Sequence, residues 1–170
     1  MSQRPVRSVL YIPASKERAL EKAKGLACDA IIFDLEDAVA IDEKVPARDL
    51  LAETLPTADY GARLRIVRVN GLDTTWGRED VLSVVNADAV LLPKVNSAAD
   101  VDAIAALTSL PIWAMMETPL GILNAAEIAA HPRLEGMVMG TNDLAKDLNT
   151  RHRPDREPLL TSLQMCLLAA

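Results

Sequence analysis

Apolar residues come in short blocks along this chain, and each block runs into polar or charged residues before a helix-like stretch begins. The blocks predict six strands, over residues 8–14, 30–37, 65–70, 89–95, 112–117 and 136–140. Helices follow them. Ser15 caps the first, which carries Lys16, Glu17, Arg18 and Lys22 on its early turns, and the second covers about 43–54. A third starts at Asp73 or Thr74 and runs to roughly Val85, and Ser97 caps a fourth beginning near Ala98. The fifth strand ends in Glu117, after which Thr118 caps a helix with Pro119 in its first turn, where no backbone N–H is needed. That helix ends near Ala130, and a last one covers 157–170.

Strand–helix alternation with short connections predicts a parallel sheet with helical crossovers. A doubly wound sheet and a barrel both satisfy it. The nucleotide signatures of the former, G-x-G-x-x-G and G-x-x-x-x-G-K, are absent. Polar residues ending several different strands favour the barrel, whose chemistry gathers at the carboxyl ends of its strands. Six units fall two short of the usual eight, and the chain stops inside an apolar helix. The expected fold is therefore α/β, a TIM-type (β/α) barrel truncated after about six βα units. It forms one domain over residues 1–170, lacking the last two units and a C-terminal segment. Such an open barrel leaves unpaired edges, so the chain reads as a fragment or as one that neighbouring chains must cover.

Composition narrows the chemistry. Half the residues are hydrophobic but only 3% are aromatic, so the core is built from Ala, Leu, Val, Ile and Met. The net charge of −6, with no run of Lys or Arg, argues against nucleic acid as a partner. No apolar run approaches the ~20 residues that span a bilayer, and Met-Ser-Gln-Arg-Pro-Val-Arg-Ser is too short before the first strand for a targeting peptide. A cytoplasmic protein is expected. Cys28 and Cys166 form neither a disulfide framework nor a zinc motif and read as packed thiols. His131 and His152, in loops beside Pro or Arg, read as surface residues.

Strand parity then selects side chains that can meet. Arg68 shares a face with Ile66 and Asn70, opposite Val67 and Val69, and Asp34 and Glu36 share one opposite Phe33 and Leu35. Lys94 falls with Val90 and Leu92, Glu117 with Trp113 and Met115, and Asp143 directly follows the sixth strand. The candidate site is Asp34, Glu36, Arg68, Lys94, Glu117 and Asp143. Two carboxylates with water and ligand oxygens suit Mg²⁺, and Arg68 offers a planar fork for a substrate carboxylate. A metal beside an arginine suits an enolate or a polarised 2-keto acid. Plainer readings stand beside these. Glu117 can be a strand-end acid stabilised by a helix dipole, Asp143 a capping residue, and Asp34, Glu36, Asp37, Arg68 and Lys94 members of structural ion pairs.

The ordered set of motifs is more specific than any one of them. Arg7-Ser8-x-Leu10-Tyr11-x-Pro13, Asp34-Leu35-Glu36-Asp37-Ala38-Val39, Arg68-Val69-Asn70, Leu92-Pro93-Lys94, Glu117-Thr118-Pro119 and Gly140-Thr141-Asn142-Asp143-Leu144 occur in that order. In these the chain resembles the HpcH/HpaI aldolase and citrate lyase family, in its citrate lyase beta-subunit-like branch. The resemblance implies a barrel enzyme that cleaves or forms carbon–carbon bonds in citryl-, malyl- or citramalyl-CoA. It implies Mg²⁺ held by Glu117 and Asp143, substrate contacts from Arg68 and from backbone near Asn142, and catalytic roles for Arg68, Glu117 and Asp143. It places coenzyme A against Tyr11, Lys16 and Lys22; Lys16 stands where an arginine is usual and Ala14 where a glycine is usual. It also implies a homo-oligomer, a trimer.

The expected reaction is a Mg²⁺-dependent cleavage of a 2-hydroxy-acyl-CoA thioester to an acyl-CoA and a 2-keto acid held by Arg68. Two rivals stand beside it: a divalent-metal aldolase acting on free 2-keto acids, and a non-catalytic subunit with an incomplete site.

Overall fold

The computed structural model describes residues 6–170. Most of the opening Met1–Ser8 stretch, read above as too short for a targeting peptide, lies outside them. The chain divides into two compact units, Met1–Val90 and Leu91–Ala170.

In the first unit the order is β1 (Val9–Pro13), α1 (Glu17–Ala23), β2 (Ala30–Asp34), α2 (Lys44–Thr54), β3 (Leu64–Arg68) and α3 (Gly77–Ser83). β1 pairs with β2 and β2 with β3, all parallel. Every residue of β2 is buried, as expected of a parallel strand covered on both faces. Ile31, Ile32, Phe33, Leu51, Leu55, Ile66 and Val67 form its core, with Phe33 and Tyr60 meeting edge to face at 5.1 Å. The buried Tyr60 hydroxyl donates to the Leu20 carbonyl. β4 (Ala89–Leu92) crosses the division between the units.

The second unit continues with α4 (Ala98–Ala105), β5 (Ile112–Met116), α5 (Pro119–Leu123), α6 (Ala125–Ala129), β6 (Leu134–Met139), α7 (Thr141–Asp147) and α8 (Leu160–Ala169). β5 and β6 pair in parallel. Leu91, Val95, Ile104, Ile112, Met116, Ile128 and Leu144 make its core. The alternating α/β architecture with six strands is as expected among the described residues.

Element ends differ in instructive ways. The second, third and fourth strands stop at Asp34, Arg68 and Leu92, earlier than the apolar blocks suggest. Past those points side chains take up part of the backbone bonding, at the Glu36 N–H, the Leu35 carbonyl and the Lys94 N–H. Ser15 does not cap α1; Lys16 occupies that position without a side-chain bond. α3 begins only at Gly77, because the Thr74 hydroxyl accepts the Gly77 N–H at 3.2 Å in a turn ahead of it. The helix after Thr118 breaks at Asn124, whose side-chain amide donates to the Asn96 carbonyl. His131 is no free surface residue: its Nδ1 accepts the Arg133 N–H at 3.1 Å, and Nε2 lies 3.0 Å from Asp102. Cys28 is half-buried and Cys166 buried, and burial pushes the Cys166 thiol upward. No helix among the described residues is long and apolar enough to cross a membrane.

Candidate active site

The register of β2 on β3 sets Asp34 directly beside Arg68, the last residue of each strand. Arg68 Nε donates to Asp34 Oδ1 at 2.8 Å and Nη2 to Oδ2 at 2.5 Å, the fork-to-fork geometry of a strong charge-assisted pair. Nη1 turns to Glu36 at 2.7 Å and to Asp37 at 3.4 Å. The Tyr11 ring lies 5.5 Å from the guanidinium carbon, close enough for a cation–π contact. Burial works against the charged guanidinium, but the hydrogen bond and charge of Asp34, with Glu36, outweigh it and push its pKa above the ordinary value. Arg68 is a fixed cation.

A second set of bonds stiffens the turn after β2. Asp34 Oδ1 also accepts the Glu36 N–H at 2.9 Å, and Oδ2 the Ala38 N–H at 3.1 Å. Lys44, buried at the start of α2, donates its ammonium to the carbonyls of Leu35 at 3.0 Å and Glu36 at 2.6 Å. It sits 5.9 Å from the Trp76 ring centre. Burial lowers its pKa, and the charges of Glu36, Asp34, Asp37 and Asp80 oppose that fall. Asn70 bridges the same turn to α3, donating Nδ2 to Leu35 O at 3.0 Å and to Asp80 at 2.6 Å. Asp80 also takes the Asn70 N–H, and the Arg48 guanidinium lies 3.5 Å away. Desolvation raises the Asp80 pKa in spite of those partners.

In the second unit the focus is Glu117, fully buried just past the end of β5. Its Oε1 accepts the Lys94 N–H at 2.9 Å. Lys94 holds φ at 51°, a left-handed backbone that is uncommon outside glycine and often marks functional sites. Thr118 then caps α5 as expected, accepting the Gly121 N–H at 3.0 Å and donating its hydroxyl to Asn96. Gly140, between β6 and α7, packs its backbone onto the same acid. A Cβ there would lie 2.4 Å from Glu117 Oε2 and 2.5 Å from Glu117 Cβ, so only glycine fits. Asp143 follows within the first turn of α7, half-buried, with Asn142 exposed beside it.

Glu117 and Asp143 are the residues that would hold a hard divalent cation here. The close approach at Gly140 brings the helix turn carrying Asp143 onto the element carrying Glu117. Two carboxylates completed by water and ligand oxygens match the preference of Mg²⁺ for few protein ligands. No group of three or more His, Cys, Asp or Glu side chains with metal-holding geometry occurs among the described residues.

The remaining expected residues fall as follows. Tyr11 covers Arg68 and is partly exposed. Lys16 is exposed and pairs with Glu43 at 3.0 Å, and that bond lowers the Glu43 pKa. Lys22 lies in the last turn of α1, six residues on, which is about 9 Å along the helix axis. Lys94 is exposed, and the parity that groups it with Val90 and Leu92 ends with β4 at Leu92. Its backbone N–H donates to Glu117 Oε1.

Sequence reasoning missed four participants: Lys44, Asp80, Asn70 as a bridge, and Gly140 as a contact. A glycine between a strand and an acid was a usable signal for the last. Nothing in the local sequence marks Lys44, an ordinary lysine at a helix start, as buried.

These strand-end acids and the clamped arginine define a class. A profile of the HpcH/HpaI aldolase/citrate lyase family matches residues 7–170, and the chain belongs to that family. Among relatives, it is 72% identical over 169 residues to a (3S)-malyl-CoA thioesterase of Cereibacter sphaeroides, covering 98% of this chain and 59% of that one. The chain thus spans less than two thirds of that relative's length. The citrate lyase beta subunit of Mycobacterium tuberculosis, solved with oxaloacetate and magnesium, superposes with a TM-score of 0.81 at 34% identity, covering 95% of this chain and 72% of that one. CitE from the same organism, solved with magnesium, acetoacetate and coenzyme A, gives a TM-score of 0.82 at 31% identity, covering 99% and 63%.

Proposed function

We propose that this chain carries the strand-end site of a Mg²⁺-dependent enzyme acting on the coenzyme A thioester of a 2-hydroxy acid of the malyl, citryl or citramalyl type. The reaction breaks a carbon–carbon bond and yields an acyl-CoA and a 2-keto acid. The observation that carries this reading is the contact of Gly140 with Glu117, which sets two carboxylates on adjoining elements. Glu117 and Asp143 hold the cation. Bound Mg²⁺ supplies Lewis-acid polarisation of the oxygens at the hydroxy-acid end. The Lys94 N–H keeps one oxygen of Glu117 oriented, and Arg68 binds the carboxylate that becomes part of the keto acid. Glu36, Asp34, Lys94 and Asn142 line the substrate's surroundings, and Tyr11, Lys16 and Lys22 contact coenzyme A. The six strand–helix units form part of a single TIM-type barrel domain, in a cytoplasmic homo-oligomer of trimeric form.

Hydrolysis of the thioester is a second reading, favoured by the 72% identity to a malyl-CoA thioesterase. Incubation with malyl-CoA and Mg²⁺, scored for keto acid by hydrazone formation and for free thiol by a disulfide reagent, separates the two. Keto acid formed without thiol supports carbon–carbon cleavage; thiol without keto acid supports hydrolysis. Turnover of small hydroxy-keto acids alone favours an aldolase, and inertness towards all of them favours a non-catalytic subunit. Glu117→Ala and Asp143→Ala each abolish Mg²⁺-dependent turnover, and a normal rate in either variant refutes the metal assignment.

A further inference from the structure

Arg68 has three carboxylate partners, and they are not equivalent. A guanidinium has five N–H groups. Asp34 takes two of them, from Nε and Nη2, and Asp37 takes one from Nη1, while Glu36 pairs with Nη1 by charge at 2.7 Å. A carboxylate ligand bound in the usual two-pronged manner needs two. It also brings a fourth negative charge to one guanidinium, and the partner held most weakly is the one that gives way.

Asp34 is poorly placed to do so. It is 1% exposed, and both its oxygens are engaged twice, by Arg68 and by the N–H groups of Glu36 and Ala38. Releasing it would free Arg68 and unlatch the turn together. Glu36 is nearly as buried and sits at 2.7 Å. Asp37 is the opposite case: its contact is long, at 3.4 Å, and its side chain is 55% exposed.

We propose that Asp34 is the permanent positioning residue of Arg68, and that Asp37 is an exchangeable counter-ion displaced by the carboxylate of an incoming 2-keto or 2-hydroxy acid. This rests on reading Arg68 as the group that binds that carboxylate. Asp37 keeps the guanidinium neutralised when the site is empty and swings into water when the ligand arrives. It thereby weakens anion binding and sets a threshold on affinity. Asp34, with both oxygens engaged twice, acts on the substrate by holding Arg68.

Calorimetric titration of the protein with oxaloacetate in the presence of Mg²⁺ tests this. Asp37→Asn keeps the shape and removes the competitor, and tightens binding about two- to fivefold, the equivalent of one exposed ion pair. Asp42→Asn removes the same charge from the same loop without touching Arg68, and leaves the affinity unchanged. Asp34→Asn weakens binding about tenfold or more, as expected when a buried charge-assisted pair is lost. If that variant fails to melt cooperatively, the exposed Asp37 comparison decides alone. Arg68→Lys loses most binding, and adding Asp37→Asn to it recovers little. Loss of binding in Arg68→Lys without tightening in Asp37→Asn overturns the exchange while leaving Arg68 as the ligand group. Equal tightening in Asp42→Asn assigns the gain to general charge and also overturns it. Undiminished binding in Arg68→Lys removes the underlying reading of Arg68, and the exchange with it.

Discussion

The two units hold their buried acids by different means. In the first, Asp34, Glu36 and Asp37 surround Arg68, and Lys44, Asn70, Asp80 and Arg48 brace the turn behind them. In the second, Glu117 meets the Lys94 N–H and packs against the bare Cα of Gly140. The difference follows from the task each acid would perform. A carboxylate balanced by a guanidinium has its charge spent, which suits the positioning of an arginine. A carboxylate held by a peptide N–H and a steric wall is fixed in place by packing. Charge networks resist change through electrostatics, and the glycine contact resists it through packing.

The sharpest break in that comparison is Arg68→Met. It leaves Asp34 and Glu36 buried beside an apolar side chain, and removing one member of a buried pair costs about 3–5 kcal/mol. Urea unfolding measures the loss. Adding Asp34→Leu recovers only part of it, because the Glu36 and Ala38 N–H groups then lose their acceptor. Full recovery would show that Asp34 serves the arginine alone.

Gly140→Ala probes the other unit by packing. The added methyl meets Glu117 Cβ at 2.5 Å and Met115 Cε at 2.9 Å, of which only the latter is a flexible end. Overpacking of this kind costs about 1–3 kcal/mol. The expected outcome is a matching fall in stability and a larger loss of Mg²⁺ affinity by titration, since Glu117 must shift. Unchanged stability with unchanged affinity would remove the steric argument.

The smallest effect is a slope. Burial raises the Asp80 pKa, so the folded state binds that proton more readily than the unfolded chain does. Its contribution to stability is therefore fully present below the ordinary value of 3.8 and declines as pH rises through the raised one. Asp80→Asn keeps an oxygen for Asn70 and removes the titration. Unfolding free energies between about pH 4 and 7 should fall less steeply in the variant than in the parent. An equally steep profile assigns the slope to other groups.

Several of these features are legible in the sequence. Thr118-Pro119 announced a helix start, because a hydroxyl followed by a residue without an N–H meets the needs of a first turn, and the cap is there. Period-two alternation put Asp34 and Arg68 on inward faces, and they meet. The ends of the strands were not legible. Asp34, Arg68 and Leu92 close their strands because later residues bond to side chains from distant elements, which local apolarity cannot reveal. Alternation misplaced Lys94 for the same reason, since its left-handed backbone ends the pleat.

By itself the sequence determined which residues would be apolar, where chain reversals fall, and which charged groups stand at strand ends, because these depend on neighbours along the chain. Only the tertiary structure decided how each charge is used. Whether Asp34 has an acceptor site left over, whether Lys44 is buried, and whether Gly140 touches an acid depend on groups brought together from far along the chain. Hydrogen-bonding capacity and excluded volume are settled only when those groups occupy the same few ångströms.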